Sequence, residues 1–223
     1  MTSLNDMLRA SSWARSLSPS EFARVEAETV TRACHAGSLV CRKGEAVEHW
    51  VGVVAGLVKM TNVSAAGKPT SFTGIAAGGW FGEGSLLKDE PRRYDIVALR
   101  ESQIAYMPRG TFARLLDTNF AFNRFLIVQL NERLGQFIAM VEHDRLLGPD
   151  ARIARCLAAM FNPYLYPGIG PVLPISQEEL GQLAGMSRQR VNQALKRLEG
   201  AGLLRVDYGG LTVLDLPGLR RFD

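Results

Sequence analysis

Cysteine and histidine are scarce in this sequence, with three of each among 223 residues. Cys34, Cys41 and Cys156 are widely separated, which argues against a disulfide framework and against a metal site built from four thiolates. We therefore expect buried, reduced thiols and no metal ion. The histidines are equally scattered, and no Ser/His/Asp or Cys/His arrangement stands in a recognisable sequence context. Nothing in the sequence indicates an enzyme.

The sequence also lacks an apolar run long enough to cross a bilayer. Its first segment, Met1–Ala10, includes polar and charged residues and has no apolar core of the kind that a signal peptide needs. The formal net charge of +4 is mild, so local patches of charge say more about partners than the global balance does. We expect a cytoplasmic protein that does not contact a membrane.

The texture of the chain changes along its length. Residues 1 to about 30 look helical. From about Gly37 to Met107, short apolar and often β-branched runs such as Trp50–Val54 and Ile104–Met107 are separated by glycine, proline and aspartate. Runs at this spacing are typical of a β-barrel or β-sandwich. The chain is long enough for two modest domains.

A long helix is predicted between Pro108 and Pro149, because this stretch contains no proline. One alternative is that its apolar stripe packs against its own domain. A heptad sustained over three repeats fits a two-chain coiled coil better, so we expect a homodimer. Gly148–Pro149 then forms a hinge, and Asn162–Pro174 is expected to be a loop without regular structure. The residues expected to dimerise are Phe120, Ile127, Leu130, Leu134, Phe137 and Val141.

The last third of the sequence predicts a winged helix-turn-helix. Ser176 and Glu179 form a Ser-x-x-Glu capping box at the start of a helix, which ends at Ala184–Gly185. Ser187 caps a second helix. Two short apolar strands around Asp207–Gly210 then form a hairpin, which would be the wing.

The exposed side of the second helix carries the side chains that read DNA. Arginine can donate two hydrogen bonds to guanine, glutamine and asparagine pair both ways with adenine, and lysine neutralises phosphate. We expect Arg188 to contact guanine and Gln189 and Gln193 to reach base edges. The remaining members are expected to serve phosphates or helix caps, and the alternative is a solvated helix face without function. The expected DNA-binding set is Ser176, Ser187, Arg188, Gln189, Arg190, Asn192, Gln193 and Lys196.

A β-roll, a long helix, a hinge and a winged helix in this order resemble the Crp/Fnr family of bacterial transcription regulators. Two motifs carry the resemblance. The first is Gly82-Glu83, followed ten residues after Glu83 by Arg93. The second is Ser187-Arg188-Gln189-x-Val191, which is similar to the recognition helix of the family.

The resemblance implies an α+β fold with three parts. A β-roll effector domain, double-stranded and jelly-roll-like, would occupy residues 1–115, a dimerisation helix residues 116–147, and a winged helix-turn-helix domain residues 148–223. It also implies a homodimer that binds double-stranded DNA at a twofold site, and RNA polymerase as a partner if the protein activates transcription. The other functional reading is a nucleotide-sensing interaction module whose winged helix binds protein.

In cyclic-nucleotide-binding members of the family, the first motif is a phosphate-binding cassette. Backbone N–H groups hold the phosphate, the glutamate accepts a hydrogen bond from the ribose, and the arginine pairs with the phosphate. The resemblance places these roles on Gly82, Glu83 and Arg93. Tyr94 departs from the pattern, because cyclic-AMP binders usually have a serine or threonine there.

A second departure lies on the long helix, where Phe137 and Ile138 stand at the positions that meet adenine in the cyclic-AMP receptor. Apolar side chains would leave the purine edge unpaired, at roughly 1 to 3 kcal/mol per buried group. Cyclic AMP is therefore disfavoured.

The effector question stays open at this point. Another cyclic nucleotide, a cyclic dinucleotide and no ligand at all are the alternatives, and in the last case Arg92 and Arg93 pair with Glu90, Asp95 or Glu101 in a structural turn. The effector site implied by the resemblance consists of Gly82, Glu83, Gly84, Arg92, Arg93, Tyr94 and Phe137.

Overall fold

The computed structural model describes residues 3–67 and 69–223. Met1 and Thr2, which begin the segment considered above for a signal peptide, lie outside the described residues. No helix within the described ranges combines the length and the apolar character that crossing a membrane requires.

Short helices form the start of the chain, as expected. They are α1 (Leu4–Ala10), a 3₁₀ helix (Ser12–Ser16) and α2 (Pro19–Glu28). Both α-helices begin at a serine that forms a capping box with the acid three residues later. Such a box satisfies backbone donors that the first turn of a helix leaves free.

Two four-stranded antiparallel sheets follow and form the β-roll that the sequence predicts. One sheet has the strand order β1-β8-β3-β6 and the other β2-β7-β4-β5. Val53, Ile75 and Ile104 are completely buried between them. The strands are β1 (Val30–Cys34), β2 (Leu39–Cys41), β3 (His49–Ala55), β4 (Leu57–Val63), β5 (Pro69–Ala76), β6 (Trp80–Phe81), β7 (Asp95–Ala98) and β8 (Ser102–Pro108). A short helix, α3 (Glu83–Lys88), lies between β6 and β7.

The helical stretch after the β-roll is divided in two. Helix α4 spans Arg109–Thr118 and α5 spans Phe120–Leu146. Asn119 lies between them in an extended conformation, and its side chain accepts a hydrogen bond from the Phe122 backbone at 2.9 Å. An asparagine cap of this kind starts a new helix. The long helix therefore begins later than residue 116, and residues 116–118 belong to α4.

One face of α5 packs against the β-roll. Phe122, Leu126, Gln129 and Arg133 are buried along it. Aromatic rings join this face to the other elements: the rings of Trp50 and Trp80 stack with their centroids 4.3 Å apart, and Trp13 meets Phe122 edge-on at 5.5 Å. The position of α5 is thus fixed by contacts with both the N-terminal helices and the sheet.

The C-terminal domain contains α6 (Pro149–Ala159), α7 (Gln177–Ala184), α8 (Arg188–Gly200) and α9 (Leu216–Leu219), with strands β10 (Leu204–Asp207) and β11 (Gly210–Val213). The segment Asn162–Pro174 was expected to have no regular structure, and this is wrong at Val172–Leu173. These two residues form strand β9, which pairs with β11 as the third strand of the wing sheet. The backbone of β11 offers this edge only once the domain has folded.

The helix-turn-helix is docked on the β-roll through α7. Arg100, between β7 and β8, donates two hydrogen bonds of 2.7 Å to Glu179, and Lys59 on β4 donates to Gln182 at 3.0 Å. Leu183 approaches β5 so closely that a Cβ at Gly74 would lie 2.9 Å from its methyl group. Glycine at position 74 therefore permits the contact.

Candidate functional sites

The two caps of the helix-turn-helix are present as the sequence predicts. The Ser176 hydroxyl accepts from the Glu179 backbone at 3.2 Å, and the Glu179 carboxylate accepts from the Ser176 backbone at 2.6 Å. Gly185 ends α7 in the left-handed conformation, with φ of 64°. Ser187 accepts from the Arg190 backbone at 3.3 Å at the start of α8. Both serines are therefore engaged as helix caps.

Helix α8 separates its apolar and polar residues cleanly. Val191, Leu195 and Leu198 are buried in the core of the domain. Asn192 is half-buried, and the opposite side of the helix is open to solvent. The exposed members of the expected DNA-binding set on this helix are Arg188, Gln189, Gln193 and Lys196.

Arg190 is placed differently from the other members of the set. Its guanidinium donates to the Asp150 carboxylate at 2.6 Å and to the Gln193 side chain at 3.1 Å. Arg197 donates to the other oxygen of Asp150, and the Asp150 side chain is only 11% exposed. Arg190 is thus engaged within the protein, where it ties the recognition helix to the hinge, and the expected phosphate contact is not prepared by its geometry.

The wing is a hairpin with the two-residue turn Tyr208–Gly209. Asp207 pairs with Gly210 across the strands, and Gly209 has a φ of 78°, which glycine adopts without strain. The Asp207 carboxylate accepts from Arg205 at 2.8 Å and from Thr212 at 2.6 Å. These contacts hold the turn, and Tyr208 at its tip is fully exposed.

The expected effector cassette is folded around its glutamate. Gly82 caps α3 (Glu83–Lys88) with a φ of 93°, in the left-handed region that favours glycine. The Glu83 carboxylate is buried, accepts from the Trp50 indole at 3.4 Å and forms an ion pair with Arg133 at 3.3 Å. Arg133 also donates to the Trp80 carbonyl at 2.5 Å. The partner of Glu83 is therefore a side chain of α5.

The two arginines of the cassette have different partners within the protein. Arg93 is exposed and donates two hydrogen bonds of 2.8 Å to Glu90. Hydrogen bonds from Arg93 and Lys88 lower the pKa of Glu90 to about 2. Arg92 is buried and donates to the His49 carbonyl at 3.2 Å. The pairing with Glu90, three residues away, corresponds to the alternative of a structural turn, and the phosphate role of Arg93 stays a prediction.

Tyr94 and Phe137 face the interior of the β-roll. Both pack against the core between the two sheets. Burial, together with the nearby Glu83 carboxylate, raises the pKa of Tyr94 to about 12, so its phenol keeps its proton at neutral pH. Gly84 is half-buried, with open space where a side chain would begin. An effector that reaches this region would meet aromatic rings.

The other side of α5 is apolar and exposed. Phe120 is 82% exposed, Ile127 69% and Leu134 57%, and Leu130, Ile138 and Val141 are also exposed. Phe137 is the exception among the residues expected to dimerise, because its ring packs partly into the β-roll. Apolar side chains thus cover both faces of α5.

Cys41 and Cys156 are not placed for reactivity, and the described residues give no support for a metal site. Cys34, Cys41 and Cys156 are free thiols. Burial raises the pKa of Cys41 to about 11 and that of Cys156 to about 12, which disfavours the reactive thiolates. Within residues 3–67 and 69–223, no group of three or more His, Cys, Asp or Glu side chains is arranged to hold a metal ion.

The buried roles of Arg133 and Asp150 were not predicted from the sequence. A signal for Arg133 exists: Phe122, Leu126, Gln129 and Arg133 recur at helical spacing and form a second stripe beside the heptad seam. A polar pair within an apolar stripe indicates buried partners. The role of Asp150 has no local signal in the sequence, because its two arginine partners lie 40 and 47 residues away.

Two family descriptions match separate parts of the chain. Residues 31–119 match the cyclic nucleotide-binding domain, and residues 151–222 match the Crp-like helix-turn-helix domain. The chain belongs to the Crp/Fnr family of transcription regulators. A Crp/Fnr relative, the cAMP-activated global transcriptional regulator CRP of Haemophilus influenzae, is 28% identical over 180 residues, which cover 77% of this chain and 80% of the relative.

Two solved structures share the fold. FixK2 from Bradyrhizobium japonicum superposes with a TM-score of 0.71 and 17% identity, over 87% of this chain and 97% of that chain. CLP of Xanthomonas campestris, described as a c-di-GMP responsive global regulator, gives a TM-score of 0.61 and 22% identity, over 88% and 99%. The β-roll, long helix and winged helix therefore form a fold that both solved structures share.

The Asp150 contacts predict a stability effect that is separate from DNA binding. We expect Asp150→Ala to lower the free energy of unfolding by about 1 to 3 kcal/mol, because two guanidinium groups lose a mostly buried acceptor. Urea unfolding of Asp150→Ala, Arg190→Ala and the double variant measures the coupling between the two residues. A coupling of at least about 0.5 kcal/mol is expected. Strictly additive effects would contradict the assignment of Arg190 to the hinge.

Proposed function

We propose that this protein is a homodimeric, sequence-specific DNA-binding transcription regulator that acts in the bacterial cytoplasm and has no enzymatic role. The observation that carries the proposal is the exposed polar face of α8, held by the Ser187 cap and backed by a buried apolar stripe. Residues 1–115 form its effector domain, α5 with the residues before it its dimerisation segment (116–147), and residues 148–223 its DNA-binding domain.

Base reading falls to the exposed residues at the start of α8. Arg188 stands at the N-terminal end of the helix, where recognition helices reach base edges. Gln189 and Gln193 extend this face, Asn192 lies beside it, and Lys196 neutralises phosphate. Arg190 holds the helix in position through its hydrogen bond to Asp150. An interaction module that binds protein through its winged helix is less well supported, because this face is polar throughout.

The dimer rests on the exposed seam of α5. Apolar side chains of this size are rarely left in water along a whole helix, and their heptad spacing suits a partner helix. The twofold arrangement would place two recognition helices about one DNA turn, roughly 34 Å, apart. If the protein activates transcription, RNA polymerase is the further partner.

An effector of the β-roll remains part of the proposal, and cyclic AMP is disfavoured for it. Arg93 is paired with Glu90 rather than poised for phosphate, and Phe137 and Ile138 offer no hydrogen bonds to a purine. The relative from Haemophilus influenzae is named for activation by cAMP, and CLP for its response to c-di-GMP. A cyclic dinucleotide or another nucleotide is therefore a candidate, alongside regulation without a ligand.

Two substitutions separate base reading from phosphate binding. Arg188→Ala is expected to weaken binding by roughly 1 to 3 kcal/mol at a site selected by the wild-type protein, and to relax the preference at one base pair. Lys196→Ala is expected to weaken binding to all sequences alike and to reduce the salt slope by about one. Fluorescence anisotropy on the selected site and on single-base variants measures both. Unchanged binding by Arg188→Ala would remove it from the reading set.

The dimer seam is tested by one charge. The wild-type protein should sediment at twice its chain mass of 24.5 kDa, and Leu134→Asp should sediment as a monomer, because twofold symmetry brings two carboxylates together in an apolar seam. Val63→Asp is the matched control, since Val63 is similarly exposed at 53% on the β-roll. A Leu134→Asp dimer as stable as the wild type would place the interface elsewhere.

A further inference from the structure

Two residues of the C-terminal domain are buried in the interior of the β-roll. Leu165 and Tyr166 follow α6 in the connection to the wing, and each is only 2% exposed. Both belong to the core between the two sheets, together with Ile75 and Phe81, and Phe137 packs against the same core. The connecting segment, from here on the plug loop (Asn162–Gly170), therefore enters the region where the cassette and α5 meet.

The plug loop is seated by specific contacts. Asn162 donates to Glu132 on α5 at 2.7 Å, and its carbonyl accepts from the Tyr166 backbone at 2.9 Å. The turn between β5 and β6 lies against the loop so tightly that a Cβ at Gly79 would be 3.2 Å from the Leu165 carbonyl oxygen. A close backbone approach of this kind needs glycine.

The polar end of Tyr166 lacks a partner. Its hydroxyl is buried and forms no hydrogen bond with any described residue, and the same holds for one terminal nitrogen of Arg133, Nη1. Although burial lowers the pKa of Arg133, the facing Glu83 carboxylate and the phenols of Tyr166 and Tyr94 raise it. Tyr166 thus shares its surroundings with the cassette glutamate and keeps hydrogen-bonding capacity unused, which is costly for a residue with only a packing role.

The plug loop leads directly into the docked helix-turn-helix. Strand β9 begins shortly after it, and α7 then binds the β-roll through the pairs Arg100–Glu179 and Lys59–Gln182. A cleft of about 710 Å³ lies between the domains, and Arg188 lines it together with Asp144 and Glu178. Docking therefore places the proposed guanine-reading arginine at a cleft that contains both carboxylates and basic groups, with Asp144 paired to Arg152 at 2.7 Å.

We propose that Tyr166 is an intramolecular plug of the effector site, which holds the winged helix in a docked arrangement of low DNA affinity. An effector binds by displacing Tyr166 and so frees the DNA-binding domain. The space it fills suits a planar aromatic ring among Phe81, Tyr94 and Phe137, with an acceptor group on its edge for the free N–H of Arg133. This inference rests on the proposed function as a DNA-binding regulator.

Three variants test the plug by DNA binding without any effector. Tyr166→Ala should bind the DNA site selected by the wild type at least about fivefold more tightly, the lower end of ordinary allosteric coupling. Tyr166→Phe keeps the ring and should bind as the wild type does. Tyr164→Ala is the matched control, because Tyr164 lies in the same loop but is 58% exposed, and it should leave the affinity unchanged. Equal or weaker binding by a cooperatively folded Tyr166→Ala overturns the proposal.

Hydrogen exchange gives a second measurement that does not depend on DNA. In Tyr166→Ala, the backbone amides of α7 and of the turn at Gly78–Gly79 should exchange faster than in the wild type. Should Tyr166→Ala fail to fold, the same amides are compared in the wild type with and without DNA, and unchanged exchange overturns the plug. Failure of the wild type to bind any DNA contradicts the proposed function instead, and exchange in the variants then decides the plug alone.

Discussion

The buried ion pair between Glu83 and Arg133 is the contact on which the arrangement of the molecule depends. Both side chains are almost completely withdrawn from water, and removing one partner would strand a buried charge. The pair joins α3 to the middle of α5 and so fixes the rotation of α5 about its own axis. With Arg133 held inward, Ile127, Leu134 and Val141 have to point outward.

A few specific contacts fix the position of the DNA-binding domain relative to α5. Pro149 ends the continuity of the helix, and the next residue, Asp150, grips α8 through Arg190 and Arg197. Glu179 makes a second connection between the domains, because it caps α7 and also pairs with Arg100 of the β-roll. A shift of residues inside the β-roll can therefore move α8 while the fold of the DNA-binding domain stays the same.

The sequence predicts the contacts that form within a few residues, and it does not predict the contacts between distant elements. Caps such as Ser176 and Ser187, the exposed face of α8 and the heptad seam are encoded within a few residues, so their patterns are readable. The break at Asn119 rests on a local cap of the Phe122 backbone three residues away, whereas strand β9 depends on β11, which lies beside it only after folding. The same is true of Arg133 and Tyr166, whose surroundings are supplied by other elements. Glu83 pairs with Arg133 of α5, and no pattern within a few residues of Glu83 announces this partner.

In the proposed dimer, two copies of the chain, joined along α5, read one twofold DNA site. Selection of DNA by the full-length protein from a random-sequence pool, at two salt concentrations, tests it most directly. We expect enrichment of a palindrome whose half-site centres lie about 10 base pairs apart, with binding that weakens steeply as salt rises. Enrichment of a single unsymmetrical half-site, or of no sequence, would contradict it.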